Sequence, residues 1–281
     1  MKKGWQRQMT DKSFSSQLCL LVFLSFMIIS TWHVRGLGSA VKRRIVKSLV
    51  YSHKLDFLFI QESKLKVFDS RLISSIGGKW LSRGVGVDAV GASGGLIILW
   101  NEEAFVVEDC ITNRNCIIIS GILQSSQKRL VLCNVYAASV EHERREVWDF
   151  ILGAMRTLTA PWCVGGDFNS VLDPSERVGA SVNMGQIRSF KGFLLQANLI
   201  DIPMIGLSFT WSNNRVNQAW VRLDRFLISP DFLMWFPNIT QKSLPRCLSD
   251  HKPVLLYDEM MKWGPTPFRF CNWWLEEKKM M

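Results

Sequence analysis

Eight polar residues in this chain sit at the ends of apolar runs, where a folded sheet brings them to its rim: His33, Glu62, Tyr136, Asp167, Asn169, Asp224, Asp250 and His251. The chemistry open to such a set is narrow. Carboxylates gathered at one rim must bind a cation or share protons, because several buried like charges cannot all stay ionised. Oxygen-rich ligation with little His or Cys suits Mg2+, with Mn2+ as the alternative, better than zinc. His251 follows an acid, and Asp224 upstream is a candidate to orient its ring. A carboxylate-oriented imidazole serves phosphate transfer and general acid–base work. Asp167 and Asn169 close the run Val164-Gly165-Gly166-Asp167-Phe168-Asn169. Two apart on an extended segment, they project to the same side. The glycines let the backbone turn close to a substrate. By itself the run also reads as a strand exit closed by an Asx turn. Jointly the residues point to a metal-assisted hydrolase of phosphate esters.

Several elements must position these groups. Strands are expected over 27–32, 56–61, 96–100, 116–123, 129–136, 161–164 and 253–257, all apolar, and all but 96–100 and 116–123 lead into or out of a site residue. Helices are expected over 40–51, 141–158 and 185–198 from apolar residues at helical spacing. The Glu and Arg residues of the 141–158 helix read as a solvated face. Residues 208–211 and 220–223 flank a polar turn and read as a hairpin running directly into Asp224. The Gly-rich segment 84–95 superficially fits a dinucleotide fingerprint, but no strand precedes it and no helix follows, so the match is accidental. Alternating strands and helices, with hairpins, predict an α/β layered domain with partly antiparallel sheets.

Composition bounds the rest. With 281 residues, 48% hydrophobic and 21% charged, the chain is ordered and globular, and one large domain is expected rather than two. The formal charge of +10 favours a polyanionic partner such as nucleic acid. The seven cysteines form no C-x-x-C pair. Cys133 and Cys163 lie in apolar runs and read as buried reduced thiols, which implies neither a zinc site nor a disulfide framework, and a reducing compartment. The charged start followed by the apolar run 18–29 has two readings. One is a secretory signal, too short to span a bilayer. The other, preferred here, is an extension over 1–26 followed by the first core strand. Cleavage after Ser30 would remove the strand that carries His33.

The order of TWHVRGLG, IQESK, NVY, VGGDFN, RLDRFL and SDHKPV resembles the endonuclease/exonuclease/phosphatase superfamily over 27–257. Within it the chain looks most like the endonuclease domain of plant non-LTR (LINE-type) retrotransposons. GGLIILW, GLSFTWSNN and the closing GPTPFRFCNWWLE carry that narrower likeness. Residues 258–281 would then be a tail leading toward a reverse transcriptase that is absent here. The resemblance implies a four-layered α/β sandwich of two mixed, largely antiparallel sheets flanked by helices. It implies a nuclear or cytoplasmic, monomeric DNA endonuclease that uses Mg2+ and needs neither a small-molecule cofactor nor a stable membrane partner. Glu62 would hold the metal, supported by Asp250, with His33 at a further ligand position. Asp167 would activate water and Asn169 would hydrogen-bond water or phosphate. His251, oriented by Asp224, would contact the scissile phosphate, and Tyr136 the phosphate or leaving oxygen. Arg35, Trp211, Asn213, Arg215 and Arg222 would face DNA, with the 209–223 hairpin against the minor groove. A phosphatase of the same fold acting on small esters, and a catalytically dead DNA-binding remnant, are the alternative readings.

Two departures bear on activity. His33 stands where the family has Asn, and imidazole nitrogen matches Mg2+ less well than an amide oxygen. Thr31 looks inserted, and one extra residue in a strand flips its side chains unless a bulge absorbs it. Tyr136 is also followed by Ala137-Ala138 rather than a nearby proline. A folded but weakened nuclease is expected.

Overall fold

The computed structural model describes residues 27–258 except 92, 180 and 214. The expectations for the 1–26 extension and for the tail beyond Asp258 lie outside those residues. Asp258 itself ends the last strand, paired with Ile239.

Two sheets lie face to face. The first has seven strands in the spatial order Met204–Gly206, Ile239–Ser243, Val254–Asp258, Ile29–His33, Phe57–Gln61, Ser93–Trp100 and Arg83–Val90. The second has six, in the order Ile200–Asp201, Asp224–Ile228, Trp162–Asp167, Lys128–Tyr136, Cys116–Leu123 and Phe105–Thr112. Both are mixed and mostly antiparallel. Strands buried on both faces explain the unbroken apolar runs. In FLFIQ, Phe57 and Phe59 join Ile29, Ile98, Leu132 and Phe226 between the sheets. Leu58 and Ile60 turn outward to Val46, Val50 and Ile76, from the helices Ala40–His53 and Ser70–Ile76. The outer face of the second sheet is covered by Glu141–Thr157 and Met184–Gln196. The result is the four-layered α/β sandwich.

Three expectations about elements change. The Gly-rich segment is itself a strand, Arg83–Val90, in a hairpin with Ser93–Trp100. Phe105–Thr112 is a further strand, at an edge of its sheet. Arg144, in the helix expected to carry only solvated charges, is buried and donates from Nη1 to the carbonyls of Ala138 (2.8 Å) and Ser139 (3.0 Å).

Polar side chains also join the layers. Gln61 Nε2 donates to Thr31 Oγ1 (2.8 Å) and to Asn134 Oδ1 (2.6 Å) across the sheets, and Asn134 Nδ2 donates to the Ile97 carbonyl (2.9 Å). Thr31 therefore sits in the same inward row as Ile29 and His33. The Ile29–His33 strand stays in continuous parallel register with Phe57–Gln61. No bulge interrupts that pairing, and His33 lies on the same side of the strand as Thr31.

Candidate active site

Five strands from both sheets end at one rim. His33 and Gln61 are register partners, as are Tyr136 and Asp167, and Asp167 and Asp224. The Asp224–Ile228 strand runs antiparallel to Trp162–Asp167, so its first residue meets the other's last. The glycines before Asp167 serve strand packing rather than substrate approach. A Cβ on Gly165 would lie 2.3 Å from Phe226, and one on Gly166 would lie 2.0 Å from the Val135 carbonyl oxygen. Phe168 is buried against Trp148 (centroids 5.9 Å apart), which itself stacks on Phe193 at 4.5 Å. This aromatic anchor holds the turn after Asp167 to the helical layer.

At the centre stands His33. Its Nδ1 lies 2.7 Å from Asp167 Oδ2 and its Nε2 lies 2.5 Å from Glu62 Oε2. Burial works against charge on this ring, but the two carboxylates outweigh it and raise its pKa to about 9. His251 stacks on His33 with centroids 4.0 Å apart. Its Nδ1 lies 2.9 Å from Asp224 Oδ2, and its Nε2 is aimed at Asp167 Oδ2, 3.9 Å away. Asp224 is held in turn by its backbone N–H, which donates to Thr210 Oγ1 (3.0 Å), and Trp32 Nε1 donates to the His251 carbonyl (3.2 Å). Burial opposes ionisation of Asp167, yet the neighbouring imidazoles bring its pKa below the usual carboxylate value.

Glu62 is enclosed by cations. Burial pushes its pKa up, but His33, Lys64 and Arg35 bring it down to about 2. Lys64 Nζ lies 2.8 Å from Oε1, Arg35 Nη1 lies 3.5 Å from Oε2, and the Tyr136 hydroxyl donates to Oε2 at 3.3 Å. Burial, reinforced by the charges of Glu62 and Asp167, raises the Tyr136 pKa and keeps it a proton donor. Arg35, Glu62, Lys64 and Asn169 all have left-handed backbone, with φ between +45° and +55°. Non-glycine residues keep such conformations where the surrounding structure fixes them, often at functional sites.

Not every expected residue lies where the motifs placed it. Asn169 does not project beside Asp167. Its N–H donates to Asp167 Oδ1 (2.9 Å) and its Nδ2 to the Ala137 carbonyl (2.7 Å), so it closes an Asx turn that fixes the carboxylate. Asp250 belongs to the outer rim, bound by Arg35 through Nε and Nη2 (2.9 and 3.0 Å) and by Trp211 Nε1 (2.9 Å). Arg222 is half-buried and engaged by carboxylates rather than turned toward the cleft. With Arg225, it is tied to Glu176 and Asp201 in a network whose contacts span 2.7–3.1 Å. The contacts of that network, of Thr210 and of Asn134 escaped motif reading, because the partners are distant in sequence. Arg35, Trp211, Asn213 and Arg215, with Arg177 and Asp250, line an open cleft of about 780 Å³ beside the histidines. The Asn213 side chain braces its own loop, accepting from the N–H groups of Arg215 and Ala219 at 3.3 and 3.0 Å.

The donors do not fit the magnesium ion that the resemblance implies. Mg2+ asks for oxygens. Both Glu62 oxygens are already paired with cationic side chains, and a ring nitrogen of His33 occupies Asp167 Oδ2. What can converge on an ion is His33, Asp167 and His251, whose ligand atoms lie within 4.8 Å of one another.

A profile of the Endonuclease/Exonuclease/phosphatase family matches residues 30–251, and the chain belongs to this family. Solved structures share the fold. An AP endonuclease from Leishmania major is 16% identical, with a TM-score of 0.62 over 83% of this chain and 87% of its own. The endonuclease domain of TRAS1, a telomere-specific non-LTR retrotransposon, is 14% identical, with a TM-score of 0.62 over 84% of this chain and 100% of its own. D. rerio TDP2, solved with a single-strand DNA product, is 17% identical, with a TM-score of 0.61 over 83% of this chain and 98% of its own. No sequence among the curated proteins matches. Among the described residues, no helix is long and apolar enough to cross a membrane.

Proposed function

We propose that this chain is a phosphodiester hydrolase acting on DNA, a nicking endonuclease of the non-LTR retrotransposon type. The observation that carries the reading is the buried His251–Asp224 pair close to Asp167, adjoining Ser249 and Asp250 in the wall of an open basic and aromatic cleft. Asp167, ionised and oriented by the Asn169 N–H, accepts the proton of an attacking water. The oxygen of that water bonds to phosphorus as the P–O3′ bond breaks, and the leaving O3′ takes a proton from solvent, which gives a 3′-hydroxyl and a 5′-phosphate. His251, its Nδ1 held by Asp224, presents Nε2–H to charge developing on the phosphate oxygens. Arg35 and Arg215 supply positive charge along the cleft, in keeping with the chain's formal charge of +10. The cleft's breadth and openness favour a polymer over a small ester. The retrotransposon type is supported by the sequence motifs around Trp100 and Trp211.

The test is nicking of supercoiled plasmid by the full chain, with Mg2+, Mn2+ and Zn2+ added in turn, beside Asp167→Ala and His251→Ala. Nicking lost in both variants is expected. Phosphate release from small esters without nicking would favour the phosphatase reading, and DNA binding without any cleavage would favour the remnant.

A further inference from the structure

The mismatch with magnesium has a second side, in what the same residues would accept. We propose that His33, Asp167 and His251 form a binding site for a transition-metal ion of the Zn2+ class, through two imidazole nitrogens and one carboxylate oxygen. Each imidazole is braced from behind by a carboxylate. Glu62 holds His33 Nε2 at 2.5 Å and Asp224 holds His251 Nδ1 at 2.9 Å. The front nitrogens, His33 Nδ1 and His251 Nε2, lie 2.7 and 3.9 Å from one atom, Asp167 Oδ2. Carboxylate bracing of the far nitrogen is how histidine ligands are oriented and made more basic toward a metal.

The three side chains are 1–2% exposed; His33 and Asp167 end strands and His251 is bridged to Trp211 just before the strand Val254–Asp258, so the fold positions the set. An N,N,O set suits Zn2+ or a neighbouring first-row ion, while Mg2+ keeps to oxygens and dehydrates reluctantly. Drawing both nitrogens to Zn–N distances of about 2.0–2.1 Å asks for side-chain movement on the order of 1 Å. The ion replaces the proton that Nδ1 shares with Asp167, which is the usual metal-for-proton exchange at histidine. Three protein ligands leave a further position for water or a phosphate oxygen.

With the ion bound, His251 Nε2 is a ligand and no longer the N–H donor of the hydrolysis proposed above; binding itself does not rest on that function, so the test is made without DNA. The full chain is titrated with Zn2+ by calorimetry and with Co2+ by visible absorption, with Mg2+ in large excess as competitor. Melting curves with and without Zn2+ accompany each titration. One equivalent of Zn2+ is expected, unmoved by Mg2+, with Co2+ bands of nitrogen and oxygen ligation and a raised melting temperature. His33→Asn and His251→Gln should each abolish the bands, and Glu62→Gln should weaken binding by about 10–100-fold. Binding that persists undiminished in folded His33→Asn and His251→Gln would assign the metal to cysteines and overturn the proposal. So would Zn2+ that leaves the melting of the unsubstituted chain unmoved, or equal competition by Mg2+. Absence of plasmid nicking beside intact Zn2+ binding would count against the hydrolytic function alone.

Discussion

Replacing His33 by Asn tests whether this ring is the cation that holds Glu62 and Asp167 together. The ring spans both carboxylates at 2.5 and 2.7 Å, while an amide is too short to bridge them and carries no charge. Glu62 would keep Lys64, but Asp167 would lose its nearest cation. Breaking a buried ion pair by removing one partner costs about 3–5 kcal/mol. The pKa gives the same size independently: a rise from 6.5 to about 9, at about 1.4 kcal/mol per pH unit, is roughly 3 kcal/mol. The sign follows from the direction. Because the folded-state pKa is raised, the stabilisation is complete below pH 6.5 and disappears as pH climbs through 9. His33→Asn should therefore be less stable than the parent by roughly 3 kcal/mol at pH 6, about 6–12 °C in melting temperature for a domain of this size. The gap should close toward pH 10. Added Mg2+ should stabilise the variant, by about 2.7 kcal/mol at a hundredfold excess over its dissociation constant, and leave the parent unmoved. It should also raise Mg2+-dependent plasmid nicking. Thermal and urea melts followed by circular dichroism read these stabilities. A variant equal to the parent at pH 6, or a gap constant from pH 6 to 10, would refute the bridging-cation argument.

Asp224→Asn keeps the shape of the rim but frees the His251 ring, so nicking should fall by about 100-fold or more while the melting temperature moves little. Arg222→Ala should destabilise by about 3 kcal/mol, because it strips a partner from Glu176 and Asp201 inside the protein, and should leave the salt dependence of DNA binding unchanged. Arg215→Ala should do the reverse: an unchanged melt and a salt slope reduced by about 1 in plasmid or oligonucleotide binding. Asp56 carries a carboxyl that burial pushes up to about 6, against the Ile28 N–H that lowers it. A raised carboxyl stabilises the fold only while protonated, so this residue costs stability as pH rises from 4 to 6. Asp56→Asn should thus gain up to about 3 kcal/mol over the parent at pH 7, and nothing at pH 3, in urea melts across that range.

The sandwich was legible because its strands are buried on both faces, which writes them as apolar runs such as Phe57–Ile60 and Ile117–Ile119. The strands that escaped notice lack that signature for definite reasons. In Arg83–Val90, Gly84 and Gly86 are small because Phe68 lies across the strand. A Cβ would meet its ring at 3.0 and 2.6 Å, so packing selected residues of poor strand propensity. Phe105–Thr112 is an edge strand with much of its surface exposed, and Glu108, Asp109 and Cys110 interrupt its alternation.

The site divides along the same physical line. Residues at strand ends were legible as a group, since apolar runs that stop at a polar residue mark the rim of a sheet. What each polar group touches was not, because a charge carries no sign in the sequence of where its partner lies. Arg222 read as a cation facing DNA, yet Glu176 and Asp201 draw it and the neighbouring Arg225 inward. The same blindness runs the other way at His33. As a letter it is a poor magnesium ligand and nothing more. In the fold, Glu62 behind it and Asp167 before it make it either the cation of the site or, once Nδ1 yields its proton, the ligand of a different one. Since neither state leaves both carboxylates free for magnesium, the proposed preference for an ion of the Zn2+ class turns on this one imidazole.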